Sequence, residues 1–185
     1  YDTVRPTVEA EEQVFCSYSS DVAKGCPAPA DVVFTVNENC TPNDLTIKVF
    51  LDAFSDGTID ASSLLPANNL KTLFGATITG TYPNFTISGG KYPLGDHIFE
   101  VHVIDGCGNS TVERIPFSVI DCKAPSPICI NGLAIDLMPV IPNADVDGDG
   151  DIDKGAMAIW ASDFADVDKI VDCSGPIKLA IYRSD

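Results

Sequence analysis

The sequence predicts an all-β protein, with a β-sandwich over residues 1–121 followed by a second, possibly incomplete β module over residues 122–185. Three observations lead there. Apolar residues recur with a period of two, the runs are short, and Gly, Pro, Asn and Asp punctuate them at short intervals. The one stretch with helical spacing, residues 61–74 with Leu64, Leu65, Leu70 and Leu73, is broken by Pro66. It reads as a long connection with one helical turn.

In chain order, residues 31–36 give the first alternating run. Leu45, Ile47, Val49 and Leu51 then form one apolar face, with Thr46, Lys48 and Asp52 lining most of the other, as in a half-buried strand. Residues 75–81, 84–88, 97–104 and 111–120 repeat the pattern, and Ile115, Phe117 and Val119 share a face. Beyond Asp121 two prolines stand between Cys122 and Cys129, which suits a short stiff link. In the second module, residues 128–130 and 133–138 flank Asn131-Gly132, a hairpin signal, and residues 156–164 and 177–183 are again strand-like. Four strands lack a closing partner, so the natural polypeptide is expected to continue.

Acidic side chains number 27 against 11 basic, for a formal charge of -16, and the excess is present in both modules. That balance excludes nucleic acid as a partner, because a phosphate backbone is held by clustered Lys and Arg. With 45% hydrophobic residues the chain can still build a core. No run of about 18 apolar residues spans a membrane. The seven cysteines never form a C-x-x-C pair and only two histidines are present, so disulfides in an oxidising compartment are expected rather than zinc. Their odd number leaves at least one free or bonded outside these residues.

Residues 145–153 are the most informative stretch. Asp145, Asp147, Asp149, Asp151 and Asp153 alternate with other residues, so a curling loop can turn them toward one point. That arrangement suits Ca²⁺, which takes six to eight oxygens. In EF-hand phase Asp145, Asp147 and Asp149 fill positions 1, 3 and 5, Gly150 makes the turn, the carbonyl of Asp151 serves position 7 and Ile152 is the apolar residue at 8. Asp153 serves position 9. Ala156 stands where a bidentate acid belongs, so Asp163, Asp166 or an acid from a neighbouring module is expected to complete the shell. The ion would be structural.

The run from Pro93 through Gly95, His97, Val101, Val103, Asp105 and Gly108 to Asn109 resembles hyalin-repeat and related immunoglobulin-like modules of secreted adhesins, as does the opening from Asp2 to Pro6. The likeness covers roughly residues 1–121. Residues 127–139, the acidic loop and residues 156–164 resemble a unit of very large surface proteins of Bacteroidota, exported and serving in adhesion, gliding or extracellular filaments. The loop is similar to dockerin and thrombospondin type 3 calcium loops, without a dockerin's duplicated loop and helices. The resemblance implies an immunoglobulin-like sandwich and pairs Cys26 with Cys40 and Cys16 with Cys107. By homologous position it adds Cys122 with Cys173 and leaves Cys129 for a strand beyond Asp185.

Catalysis is not expected. No nucleophile-elbow, metalloprotease or phosphate-loop motif is present, and His97 and His102, five apart, point to opposite faces of one strand. His97 reads as a surface residue near a turn, and Trp160 as core. The expected function is an extracellular structural or adhesive protein of disulfide-bonded, calcium-stiffened modules, whose partners are neighbouring modules, other copies, or surface glycans or proteins. The alternative is a carbohydrate-binding or accessory module of a secreted polysaccharide-degrading enzyme. Exposed aromatics among Tyr18, Tyr82, Tyr92 and Trp160 would favour it. Three Asn sequons, at Asn39, Asn84 and Asn109, and an Asp2-Thr-Val pattern resembling a Bacteroidota O-glycosylation acceptor complete the reading.

Overall fold

In the computed structural model the chain divides into two compact units, Tyr1–Lys123 and Ala124–Asp185. The structure describes residues 2–132, 134–139, 145, 147–151 and 153–182. The first unit is an immunoglobulin-like sandwich of two sheets. Its strands are β1 (Thr7–Glu9), β2 (Gln13–Ser17), β3 (Ala28–Asn37), β4 (Thr46–Asp52), β5 (Ala61–Ser62), β6 (Thr77–Thr81), β7 (Asn84–Tyr92), β8 (Gly95–Ile104) and β9 (Ser110–Asp121). One sheet runs β1-β3-β7-β6 and the other β2-β9-β8-β4-β5. The incoming chain contributes β1 to the first sheet, antiparallel to β3, then crosses to lay β2 parallel to β9 in the second. The residues 61–74 connection holds β5 and one helical turn at Leu70–Phe74.

Period-two alternation places side chains inward one for one. Along β3, Ala28, Ala30, Val32, Phe34 and Val36 are buried and their neighbours face outward. Val49 and Leu51 on β4, Phe99, Val101 and Val103 on β8, and Ile115, Phe117 and Val119 on β9 complete the facing layer. Phe99 and Phe117 stack with centroids 4.9 Å apart, and Tyr92 from the opposite sheet meets Phe117 edge-on at 5.0 Å. Each such ring, fully buried, contributes about 1.5–3 kcal/mol. Beside Tyr92 the β7 backbone must be bare, since a Cβ on Gly90 would sit 2.0 Å from the tyrosine hydroxyl.

His97 corrects the sequence reading. It is fully buried within the aromatic layer, 5.1 Å from Phe117 between ring centroids. Its Nδ1 accepts the amide of Phe54, so Nε2 carries the hydrogen and donates to the Pro93 carbonyl at 2.9 Å. Both ring nitrogens are thereby satisfied in the neutral state, and burial lowers the His97 pKa despite the Pro93 bond. The Phe54 amide held in this way belongs to a turn with φ of +68° at Phe54 and +51° at Ser55, conformations rare outside glycine.

The second unit carries little regular structure among its described residues. β10 (Met138–Pro139) pairs with β11 (Gly155–Ala156). Residues 128–130 pair with 164–166, through Cys129 opposite Ala165 and the bonds Ile130 N–H to Phe164 and Asp166 N–H to Ile128. The two arms expected around Asn131-Gly132 thus pair elsewhere, while Leu133 of that hairpin and Arg183 of the last expected strand lie outside the described residues. Residues 156–164 carry strand only at Ala156, and Ala161–Asp163 is a 3-10 turn. Trp160 is 70% exposed, not core.

Candidate functional site

The acidic loop folds on itself through its own backbone. Asp145 accepts the amide of Gly148 at 2.7 Å on Oδ1 and that of Gly150 at 3.0 Å on Oδ2. Asp147 accepts the Asp149 amide, Asp149 the Asp151 amide, and Asp153 the Asp147 amide. Such side-chain to backbone bonds are what Asp makes in turns. They bring one oxygen each of Asp145, Asp147 and Asp149 within 4.8 Å of one another, all three residues exposed. Asp151 and Asp153 do not join that group, and Ile152 lies outside the described residues. Asp163 does not complete it either, because its Oδ2 accepts the Trp160 amide at 2.8 Å and caps a turn. Asp166 is paired with Lys169 at 2.6 Å.

A second set of carboxylates was not legible as a motif. Asp2, Glu38 and Asp105 come from three distant parts of the first unit, and one oxygen of each lies within 4.8 Å of the other two. Glu38 and Asp105 are buried. Asp105 is held by the Asn109 side chain and by the amides of Cys107 and Asn109. Burial opposes its charge, yet these bonds to Asn109 and the neighbouring amides lower its pKa below the ordinary carboxylate value.

The disulfides differ from those the resemblance implied. Cys16 bonds to Cys122, with Cα atoms 5.3 Å apart, because parallel pairing of β2 with β9 sets Cys16 opposite Ile120. Cys26 and Cys173 are also disulfide-bonded, whereas Cys40, Cys107 and Cys129 are free and exposed. Cys26 with Cys40, Cys16 with Cys107 and Cys122 with Cys173 are therefore all corrected. Disulfide bonding of this kind belongs to compartments outside the reducing cytosol. No helix among the described residues is long and apolar enough to cross a membrane.

The groups weighed for other chemistry are dispersed. His102 faces away from the core and meets Glu100 at 2.6 Å. Of the aromatics weighed as a sugar platform, Tyr92 is buried and the Tyr82 hydroxyl bonds the Glu38 backbone, while Tyr18 is 69% exposed and Trp160 70%. An open groove of about 590 Å³ runs beside residues 9–13, Val33, Phe34 and Phe85. Nothing in these positions shows catalytic activity.

No family model matches the chain, and no curated protein matches it in sequence. Among solved structures it is similar to CopC from Methylosinus trichosporium OB3b, at 10% identity and a TM-score of 0.39, over 64% of this chain and 93% of that one. It is similar to PcoC, a methionine-rich copper resistance protein from Escherichia coli, at 14% identity and 0.37, over 63% and 100%. Murine CRIg matches at 10% identity and 0.38, over 65% and 100%. Ca²⁺ as the cofactor of the acidic loop is corrected. Among the described residues the loop brings only three exposed carboxylates together, short of the six to eight oxygens that Ca²⁺ takes. The class of fold, an immunoglobulin-like β-sandwich, rests on the two-sheet topology of the first unit.

Proposed function

We propose that this chain is a structural and adhesive segment of a cell-surface protein, built of disulfide-bonded β modules and covered by neighbouring modules or other copies of itself. One observation carries the reading. In Ala124–Asp185 the only apolar side chains buried among the described residues are Ala165 and Ile170, whereas Leu137, Met138, Trp160 and Tyr182 are 62%, 73%, 70% and 88% exposed. Apolar surface concentrated in this way marks a place of association. Sedimentation of the whole chain over rising concentration tests the reading. Self-association that is lost in a Met138→Glu, Tyr182→Glu variant is expected, and a monomer at every concentration would overturn association between copies.

The exposed Trp160 ring favours a second reading, a carbohydrate-binding module of a secreted enzyme. A glycan array separates the two. Glycan capture abolished by Trp160→Ala, without self-association, would replace the adhesive reading.

A further inference from the structure

At the end of the sandwich where the chain enters β1, three acids from distant parts of the chain converge. Glu38, just past β3, uses Oε1 to accept the amides of Cys40 at 2.8 Å and Thr41 at 3.1 Å. Its backbone is fixed on both sides by the Tyr82 hydroxyl, which accepts from the Glu38 amide and donates to its carbonyl. Asp2 uses Oδ1 to accept the Val4 amide at 3.0 Å. Asp105 anchors the β8–β9 turn, and Asn109 of that turn donates to the Asp2 carbonyl at 3.3 Å, holding the incoming segment over it. Thr41 Oγ1 accepts the Gly106 amide at 3.0 Å and ties the two loops together.

What remains over is informative. Glu38 Oε2 and Asp2 Oδ2 are buried and have no hydrogen-bond partner, although Glu38 is only 8% exposed and Asp105 5%. Among the described residues no Lys, Arg or His forms an ion pair with any of the three. A buried carboxylate oxygen without a partner is costly, and three like charges within 4.8 Å repel. One cation at their common point removes both costs. The thiols of Cys40 and Cys107 are exposed and stand outside the cluster, which leaves an all-oxygen donor set.

We propose that Asp2, Glu38 and Asp105 form a binding site for a hard divalent cation that fastens the incoming segment to the β3–β4 and β8–β9 loops. Oxygen-only sites of this kind take hard ions in preference to soft ones. The test is a Mn²⁺ titration of the whole chain followed by EPR, with thermal melts alongside. Asp145→Asn, Asp147→Asn and Asp149→Asn form the background, so that the exposed loop contributes nothing. In that background Mn²⁺ is expected to bind and to raise the melting temperature. Adding Glu38→Gln keeps an oxygen for the Cys40 and Thr41 amides, and it is expected to weaken Mn²⁺ at least about tenfold and to abolish the rise. Asp2→Asn, on a segment outside every strand, is expected to do the same and serves if Glu38→Gln does not fold. No Mn²⁺ binding in the background, or equal binding by the variants, would overturn the site.

Discussion

The two units are drawn from similar sequence and end in different states. Both are acidic and both alternate apolar with polar residues. In the first unit some twenty apolar side chains close into one core between two sheets, whereas in the second Ala165 and Ile170 alone are buried among the described residues. The difference teaches that alternation specifies a strand only where a second surface exists to receive its apolar face. Phe99 has Phe117 and Tyr92 to pack against. Trp160 has a turn held by Asp163 and open solvent.

Breaking that contrast begins with Phe99→Ala, expected to cost about 3–5 kcal/mol in urea unfolding, as for other buried aromatics. Joint replacement of Cys16 and Cys122 by Ala comes next. It removes a link across 106 residues and is expected to cost about 2–5 kcal/mol while leaving the strand order intact, read by the same unfolding curves. Acid should act through His97. Its folded pKa is lowered, so its contribution is full above the unfolded value of 6.5 and is lost as pH falls below it. A melting temperature that declines from that point, with the slope reduced in His97→Gln, is expected. The smallest effect is for Trp160→Ala, within about 0.5 kcal/mol for an exposed site in an isolated chain. A loss as large as that of Phe99→Ala would erase the distinction between the units.

Long central strands were readable from sequence because their inward positions follow a strict period, as in β3 and β8. β1 and β2 were not. Each is short, and what defines them is the neighbour that supplies their hydrogen bonds, β3 on one sheet and β9 on the other. The same parallel pairing chose the partner of Cys16, which cysteine spacing could not reveal. His97 was misplaced because residue type suggests solvent, while the Pro93 carbonyl and Phe54 amide that satisfy it arrive only with the fold. The loop acids do converge in part, as Asp145, Asp147 and Asp149, since their bonds are local. Asp2 and Asp105 stood within the stretches that carry the family resemblance, but Glu38 had no motif, and only sheet topology brings the three together.

The Cys16–Cys122 bond also sets where a pull on the first unit travels. Tension arriving at Cys16 and leaving after Cys122 crosses two sulfur atoms instead of the chain between them. Residues 17–121, about 350 Å of slack if drawn straight, cannot be paid out while the bond is oxidised. Reduction frees that length and converts a fixed span into a spring.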